Sequence, residues 1–204
     1  MVDKILREPK EQLLTPLIQG PLRGIHPTAV TLLAAAIGLF AAIAAWQGAY
    51  GLAIGFWIIN RILDGLDGTL ARLTNQQSDL GAYLDIVLDH LIYAIIPLGL
   101  TLADGRTEAY IALGLLLTSF YINGASWMYL SSILEKRRAG ATVHGELTGV
   151  TMPTGLIEGA ETIVFYSLFL LFPAAIIPLF GLMAALVVVT IGQRLVWAVG
   201  NIEQ

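Results

Sequence analysis

Cysteine is absent from the 204-residue chain, and charged residues make up only 13% of it. The first absence excludes disulfides and thiolate metal sites. The second excludes an ordinary soluble domain, in which roughly a quarter of the residues are charged. Hydrophobic residues instead make up 56% of the chain, and the mean hydropathy is +0.75. This composition predicts an all-α integral membrane protein that forms a single domain.

Six apolar stretches are long enough to cross a bilayer, which takes about 20 residues of helix. The stretches are 28–47, 50–73, 80–103, 107–135, 155–172 and 174–199. We predict that 1–204 is one membrane domain with a six-helix core at 28–199. A juxtamembrane segment, 1–25, precedes this core. Within it, the apolar and basic residues of 3–18 predict an amphipathic helix lying on the membrane, and a flexible tail is the alternative.

Lysine and arginine are distributed unevenly over the predicted connections. With six spans, both termini and the connections 73–79 and 136–154 lie on one side of the membrane. That side receives Lys4, Arg7, Lys10, Arg23, Arg72, Lys136, Arg137 and Arg138. The other side receives Arg106. Because cytoplasmic loops carry the excess of basic residues, we expect both termini and these two connections to be cytoplasmic.

The second and third predicted helices carry aspartates where hydrocarbon is expected. Asp64 and Asp67 lie on the second helix, and Asp85 and Asp89 lie on the third. One charge at the centre of a membrane helix costs about 2.5–3.5 kcal/mol, so these acids must be protonated, paired or bound to cations. Spacings of three and four residues place each pair on one helical face. A short connection makes the two helices antiparallel neighbours, and facing carboxylates suit hard divalent cations such as Mg²⁺.

Small residues accompany these acids. Gly68 and Ala71 share the acidic face of the second helix with Arg72, and Gly81 lies four residues before Asp85. Their lack of bulk leaves room for a ligand to approach the backbone. At about 1.5 Å per residue, the acids lie roughly 8–15 Å below the cytoplasmic ends of their helices. A water-soluble and a lipid-soluble reactant can both reach this depth.

The pattern D-x-x-D-G-x-x-A-R-x(8)-G-x-x-x-D-x-x-x-D resembles the signature of the CDP-alcohol phosphatidyltransferase family. It is carried by Asp64, Asp67, Gly68, Ala71, Arg72, Gly81, Asp85 and Asp89. Eight residues at fixed spacing make a specific signal, and the chain length, six spans and N-terminal segment also resemble the family. The runs NRILDGLDGTLAR at 60–72 and GLIEGAETIVFYSLFLLFP at 155–173 are similar to a branch of small bacterial inner-membrane members without an assigned substrate.

The resemblance implies a metal-dependent enzyme of phospholipid biosynthesis in a bacterial inner membrane, with a cytoplasmic active site. Such an enzyme transfers a substituted phosphoryl group from a CDP-alcohol to a second alcohol and releases CMP. It uses Mg²⁺ or Mn²⁺, with two ions expected, and forms a homodimer. The resemblance makes Asp64, Asp67 and Asp85 metal ligands. Asp89 becomes the general base, with a second role as a ligand left open.

The resemblance also implies contacts with the CDP-alcohol. Arg72 would contact the diphosphate, because an arginine can bind phosphate oxygens bidentately. Gly68, Ala71 and Gly81 would give the nucleotide room. Ser78 would bind it near the entrance, and it is also expected to cap the third helix. The segment HPTAVT resembles a further part of the CDP-alcohol site through Thr28 and Thr31.

Other polar residues have two interpretations each. Glu158 and Glu161 are candidates for the acceptor pocket, but acids also stabilise the first turn of a helix through its dipole. Arg137 and Arg194 could bind a phosphate on the acceptor. Alternatively, Arg137 reflects the excess of cytoplasmic basic residues and Arg194 extends to the membrane interface. Arg61 could serve the site or pair with an acid, and because it precedes Asp64 by three residues, an ion pair within the helix is favoured.

Two functions from different classes remain at this point. In the first, CDP-diacylglycerol donates to a small polar alcohol, of which glycerol 3-phosphate is an example, or a CDP-linked polar alcohol donates to a lipid alcohol. In the second, the acids form the ion path of a cation transporter. Transporter folds often contain internal repeats or broken helices, and the sequence shows neither. We expect lipid and CDP-alcohol substrates and no nucleic-acid partner.

Overall fold

The computed structural model describes residues 24–137 and 155–202, together with Thr15, Ile18 and Gly20. Its helices are α1 (Pro27–Trp46), α2 (Tyr50–Leu73), α3 (Asp79–Asp104), α4 (Thr107–Lys136), α5 (Gly159–Leu171) and α6 (Ile176–Ile202), with a 3-10 turn at Pro173–Ala175. The all-α prediction is therefore confirmed over these residues. The predicted interfacial helix at 3–18 lies almost entirely outside the described residues, so it stays a prediction.

Four of these elements are long and apolar enough to cross a membrane. They are α1, α3, α4 and the stretch Pro173–Ile202, which contains α6. The α2 helix has 24 residues but includes Arg61, Asp64 and Asp67, and α5 has only 13 residues. The apolar helices fit a multi-pass membrane protein, and the count of six spans stays a prediction.

Packing divides the chain into two compact units. The first comprises Met1–Arg106 and Tyr166–Ile176, and the second comprises Thr107–Phe165 and Ile177–Gln204. In the first unit, α1 packs against both α2 and α3. A Cβ atom at Gly99 would lie 2.4 Å from the Ala42 carbonyl oxygen, and one at Gly38 would lie 2.6 Å from Ile92 Cδ1. Glycine is needed at position 99, because the backbones of α1 and α3 approach closely there, as small residues allow in membrane helices. At position 38 a larger residue would require the Ile92 side chain to shift.

An aromatic cluster fills the core of the first unit. The Tyr166 ring lies 5.4 Å from Trp57, 5.2 Å from Tyr93 and 5.2 Å from Phe169, measured between centroids. The buried hydroxyl of Tyr166 donates to the Tyr93 carbonyl oxygen at 2.5 Å. Trp57 Nε1 donates to Ser167 Oγ at 3.1 Å. Both polar ring groups are thus satisfied, as buried aromatic polar groups usually are.

The first residues of α5 belong to the second unit, and this helix begins later in the chain than predicted. The fifth stretch was expected to be helical from residue 155, but α5 begins at Gly159. The backbone N–H of Ile157 donates to Thr190 Oγ1, and that of Leu156 donates to Gln193 Oε1, both at 2.9 Å. Because side chains of α6 hold these backbone groups, the segment before Gly159 packs against α6 without forming a helical turn.

Candidate active site on α2 and α3

Three of the four predicted aspartates surround one cleft in the first unit. Asp64 of α2 and Asp85 and Asp89 of α3 line it. The other lining residues are Thr31, Ala34, Ala35, Asn60, Leu88 and Ile92. The side chains of Asp64 and Asp89 are each 26% exposed. Acids from two different helices therefore meet at one half-buried position.

The fourth aspartate, Asp67, lies beside the cleft and is held by α1. Asp67 is 5% exposed. Thr31 Oγ1 donates to Asp67 Oδ2 at 2.6 Å, and Thr31 itself lines the cleft. The Gly68 backbone N–H donates to Asp67 Oδ1 at 2.5 Å. Both carboxylate oxygens of Asp67 thus accept hydrogen bonds, which compensates in part for burying this group.

Arg61 places a positive charge between the two helices. Its Nη1 atom lies 3.6 Å from Asp64 Oδ2, which is the ion pair that the spacing predicted within α2. Its Nη2 atom donates to Asp89 Oδ1 at 2.8 Å, across to α3. The sequence analysis missed this shorter contact. The only sequence signal for it is that Arg61 and Asp64 share a helical face.

The donor set fits a hard divalent cation. Three carboxylates line a single cleft, and carboxylate oxygens are the ligands that Mg²⁺ and Mn²⁺ prefer. Within the described ranges, however, no group of three or more His, Cys, Asp or Glu side chains already stands at metal-ligating separations. Arg61 instead compensates part of the acidic charge. The carboxylates of this cleft are thus chemically suited to a divalent cation, and their role as its ligands stays a prediction.

Space is available beside Gly68, as expected of a residue that leaves room for a ligand. Among the described residues, a Cβ atom added there would approach Arg72 Nη1 at 3.4 Å, an ordinary contact. Arg72 Nη2 donates to Thr69 Oγ1 at 3.2 Å, and Ala71 directly precedes Arg72 on α2. Internal packing therefore does not require glycine at position 68.

The start of α3 lies near the start of α1. Ser78 Oγ accepts a hydrogen bond from the Gly81 backbone N–H at 3.1 Å, which confirms the predicted N-cap. A Cβ atom at Gly81 would lie 3.1 Å from Ser78 Oγ and 4.0 Å from Thr28 Oγ1. Three of the predicted CDP-alcohol contacts therefore stand together. Their contact with a nucleotide stays a prediction.

The two candidate acceptor glutamates form a helix cap in the second unit. Glu158 Oε1 accepts from the Gly155 backbone N–H at 3.0 Å, and Glu161 Oε2 accepts from the Glu158 backbone N–H at 3.1 Å. The second contact is the return half of a capping box at the start of α5. Both acids thus accept backbone hydrogen bonds at the start of α5. Their predicted contact with an acceptor stays a prediction.

The two candidate acceptor arginines also have protein partners in the second unit. Arg194 is 6% exposed and donates from Nη1 to Asn123 Oδ1. Arg194 is therefore enclosed by the protein, and both of its predicted roles, phosphate binding and extension to the interface, stay predictions. Arg137 donates to the Ile202 carbonyl oxygen at the end of α6. Their predicted role in binding an acceptor phosphate is not tested by these contacts.

Comparison with known proteins identifies the family of this chain. Residues 24–199 match the CDP-alcohol phosphatidyltransferase family, and the chain belongs to that family. Its members are CDP-alcohol phosphotransferases, and they act in phospholipid biosynthesis.

Individual relatives come from several bacteria. The chain is 38% identical to inner membrane protein YnjF of Escherichia coli (strain K12) over 151 residues, 74% of this chain and 72% of that protein. It is 40% identical to phosphatidylcholine synthase of Legionella bozemanae over 67 residues, 31% of each chain. Its fold is similar to the crystal structure of Mycobacterium tuberculosis phosphatidylinositol phosphate synthase (PgsA1) with CDP-DAG bound. The TM-score is 0.69 at 22% identity, over 90% of this chain and 92% of that one.

Proposed function

We propose that this protein is a metal-dependent phosphotransferase that uses CDP-diacylglycerol as donor, transfers the phosphatidyl group to a small polar alcohol and releases CMP. The observation that carries the proposal is the convergence of Asp64, Asp85 and Asp89 on one cleft, with Asp67 fixed beside it by Thr31. Family membership supports the reaction class. The choice of donor is supported by the fold relative PgsA1, which was crystallised with CDP-DAG bound.

The polyanionic donor needs positive charge in this acidic cleft. In our proposal, Asp64, Asp67 and Asp85 hold two Mg²⁺ or Mn²⁺ ions. When bound, these ions neutralise and polarise the diphosphate. Arg72 contributes a fixed positive charge near the diphosphate, on the face of α2 that Gly68 leaves open. A second crystal structure of the fold relative is in complex with manganese and citrate.

Asp89 acts as the general base in this proposal. Its carboxylate takes the proton of the acceptor hydroxyl as the new bond from oxygen to phosphorus forms. The bond between that phosphorus and the CMP oxygen breaks, and CMP leaves. Phosphoryl transfer depends mainly on positioning and electrostatics. The protein therefore contributes mainly the placement of Asp89 and of the donor. In this proposal Ala71 and Gly81 leave space for the donor, and Thr28 at the start of α1 and Ser78 at the start of α3 contact it.

The acceptor we propose is a small polar alcohol such as glycerol 3-phosphate, with Arg137 and Arg194 as its phosphate-binding residues and Glu158 and Glu161 nearby. Choline is a second candidate, because several matching relatives are phosphatidylcholine synthases. Those matches cover 27–40% of the relatives' lengths. A CDP-linked polar alcohol donating to a lipid alcohol is the remaining alternative within the family.

We also propose that α2 and α5 cross the membrane, which gives six spans. Both termini and the active site then face the cytoplasm, as the distribution of basic residues favours. The inner-membrane location of YnjF supports the same membrane for this chain. The homodimer is proposed from family resemblance.

A CMP-release screen tests the proposed reaction. The full chain is purified into lipid nanodiscs with Mg²⁺ and given CDP-diacylglycerol with glycerol 3-phosphate, choline or inositol 1-phosphate, and separately CDP-choline with diacylglycerol. Mass spectrometry of the lipid product identifies the acceptor. We expect CMP release that requires CDP-diacylglycerol, an acceptor and Mg²⁺ together. Absence of CMP in every mixture, with Mg²⁺ uptake into vesicles that contain the protein, would establish the transporter instead.

A further inference from the structure

The guanidinium group of Arg61 is fixed on several sides. Its Cζ atom lies 4.7 Å from the Trp57 ring centroid and 5.3 Å from that of Tyr93, within cation–π range. Nη1 donates to the Tyr93 hydroxyl at 3.0 Å, and Nε donates to Asn60 Oδ1 at 2.7 Å. The Arg61 side chain is 8% exposed. The rings of Trp57 and Tyr93 and these two hydrogen bonds fix the plane of the guanidinium group. Nη2 is therefore held pointing toward α3.

The residues that contact Arg61 are fixed by hydrogen bonds to other parts of the fold. The Asn60 amide donates to the Ala34 carbonyl oxygen of α1 at 2.8 Å. Trp57 is fully buried and bonded to Ser167, and Tyr93 accepts at its carbonyl from Tyr166. Unlike an ion pair on a surface, Arg61 is surrounded by side chains that are themselves hydrogen-bonded to other parts of the fold. A side chain supported by locked neighbours positions what it touches with little freedom.

Arg61 lies closer to Asp89 than to Asp64. Its contact with Asp89 is a hydrogen bond of 2.8 Å, whereas its nearest approach to Asp64 is 3.6 Å. A hydrogen-bonded carboxylate is oriented, while a carboxylate at the longer distance receives mainly charge compensation. The geometry therefore separates the two acids, with Asp89 oriented by the protein and Asp64 less constrained.

From this geometry we infer that Arg61 is a positioning residue of the active site, which orients the Asp89 carboxylate and supplies part of the positive charge of the cleft when no divalent cation is bound. This inference rests on the proposed function of the same site. It has two separable consequences. Loss of the fork-shaped guanidinium misorients Asp89 and slows turnover. Loss of the charge removes a competitor for divalent cations and strengthens their binding.

Two Arg61 variants separate these consequences. Arg61→Lys keeps the charge but loses the planar fork, and Arg61→Gln loses both. Arg106→Gln is the matched control, because Arg106 pairs with Asp104 at 2.6 Å, about 22 Å along α3 from Asp89. The measurements are kcat and KM for CDP-diacylglycerol in nanodiscs, and Mn²⁺ affinity of the purified proteins from the electron paramagnetic resonance signal of free Mn²⁺. Thermal melting checks that each variant is folded.

We expect Arg61→Gln to lower kcat on the order of a hundredfold, as misplacement of a catalytic group does, with little change in KM for the donor. Its Mn²⁺ affinity should rise about tenfold, because one positive charge has left the cleft. For Arg61→Lys, kcat should fall about tenfold while the Mn²⁺ affinity stays like that of the wild type. Arg106→Gln should match the wild type in both measurements.

Wild-type kcat in Arg61→Lys, with unchanged Mn²⁺ affinity in Arg61→Gln, would overturn the inference while the proposed function stands. If Arg61→Gln does not fold, the kcat of Arg61→Lys decides: a loss supports the positioning role and a wild-type value overturns it. Failure of the proposed function looks different, because the wild type then releases no CMP. The Mn²⁺ titration of the variants would still decide whether Arg61 supplies charge to the cleft.

Discussion

The hydroxyl group of Thr31 donates a hydrogen bond of 2.6 Å to Asp67 Oδ2 and thereby joins α1 to the acidic face of α2. Both residues are buried. The predicted contact of Thr31 with the CDP-alcohol stays a prediction. The shorter of its two hydroxyl contacts is with a predicted metal ligand, and the other is with the Pro27 carbonyl oxygen at 3.2 Å. The structure therefore supports a role for Thr31 in orienting Asp67.

Thr31→Val tests this role, because valine has a similar shape and lacks the hydroxyl. We expect the variant to fold with a loss of about 1–3 kcal/mol, since a buried carboxylate loses its partner. We also expect it to need a severalfold higher Mg²⁺ concentration for half-maximal CMP release. Thr101→Val is the control, because the buried Thr101 hydroxyl donates within its own helix to the Pro97 carbonyl oxygen. An identical Mg²⁺ requirement in the two variants would contradict the assigned role of Thr31.

Substitutions of Asp64 and Asp89 are expected to affect different quantities, metal affinity for Asp64 and kcat for Asp89. Asp89→Asn should lower kcat by about 10²- to 10⁴-fold, because it removes the general base, while Mn²⁺ affinity changes little. Asp64→Asn should weaken Mn²⁺ binding and raise the Mg²⁺ concentration needed for activity. Asp104→Asn serves as the control, because Asp104 is an α3 acid that pairs with Arg106 outside the cleft. Normal turnover by Asp89→Asn would exclude Asp89 as the base.

Two glycines are expected to be needed for different reasons: Gly68 for binding of the donor and Gly99 for packing of α3 against α1. Gly68→Ala should fold like the wild type, because its Cβ atom would make an ordinary 3.4 Å contact with Arg72 Nη1. It should nevertheless raise KM for the CDP-alcohol at least severalfold. Gly99→Ala should lose about 1–3 kcal/mol of stability, because its Cβ atom would lie 2.4 Å from the Ala42 carbonyl oxygen. Thermal melting and donor KM, measured on both variants, check the contrast. Unchanged KM in Gly68→Ala would count against a donor contact there.

Glu161→Gln tests the proposed acceptor pocket without removing the helix cap. A glutamine oxygen can still accept the hydrogen bond from the Glu158 backbone N–H that Glu161 now accepts. We therefore expect a normal melting temperature but an altered KM for the acceptor, with KM for the donor unchanged. Glu108→Gln, a first-turn acid of α4, is the matched control. If both variants behave like the wild type, the Glu161 charge serves the helix dipole and not the acceptor.

Much of the helical framework was predictable from the sequence. Apolar runs between turn residues located α1 to α4 and α6 to within a few residues, because each helix needs a long apolar surface in a membrane. The Ser78 cap followed from a local rule. The start of α5 was predicted too early, because Thr190 and Gln193 hold the backbone before Gly159. Such contacts between distant segments leave no periodic signal.

The site was predictable as a set of residues but not as a network. Fixed spacing put Asp64 and Asp89 on facing helices, and the structure brings them to one cleft. The hydrogen bond from Arg61 to Asp89 was missed, because spacing within one helix shows neighbours at three and four residues and not partners across helices. The stacking of Arg61 on Trp57 was missed for the same reason.

The most direct test of the central claim measures CMP and lipid product in one reaction. Purified protein in nanodiscs receives CDP-diacylglycerol and the acceptor identified by the screen, at increasing Mg²⁺ after chelation of bound metal. The account predicts equal amounts of CMP and new phospholipid, no reaction without the divalent cation, and loss of both products in Asp89→Asn. Undiminished product formation in Asp89→Asn, or full activity in the presence of excess chelator, would contradict a metal-dependent transferase built on these aspartates.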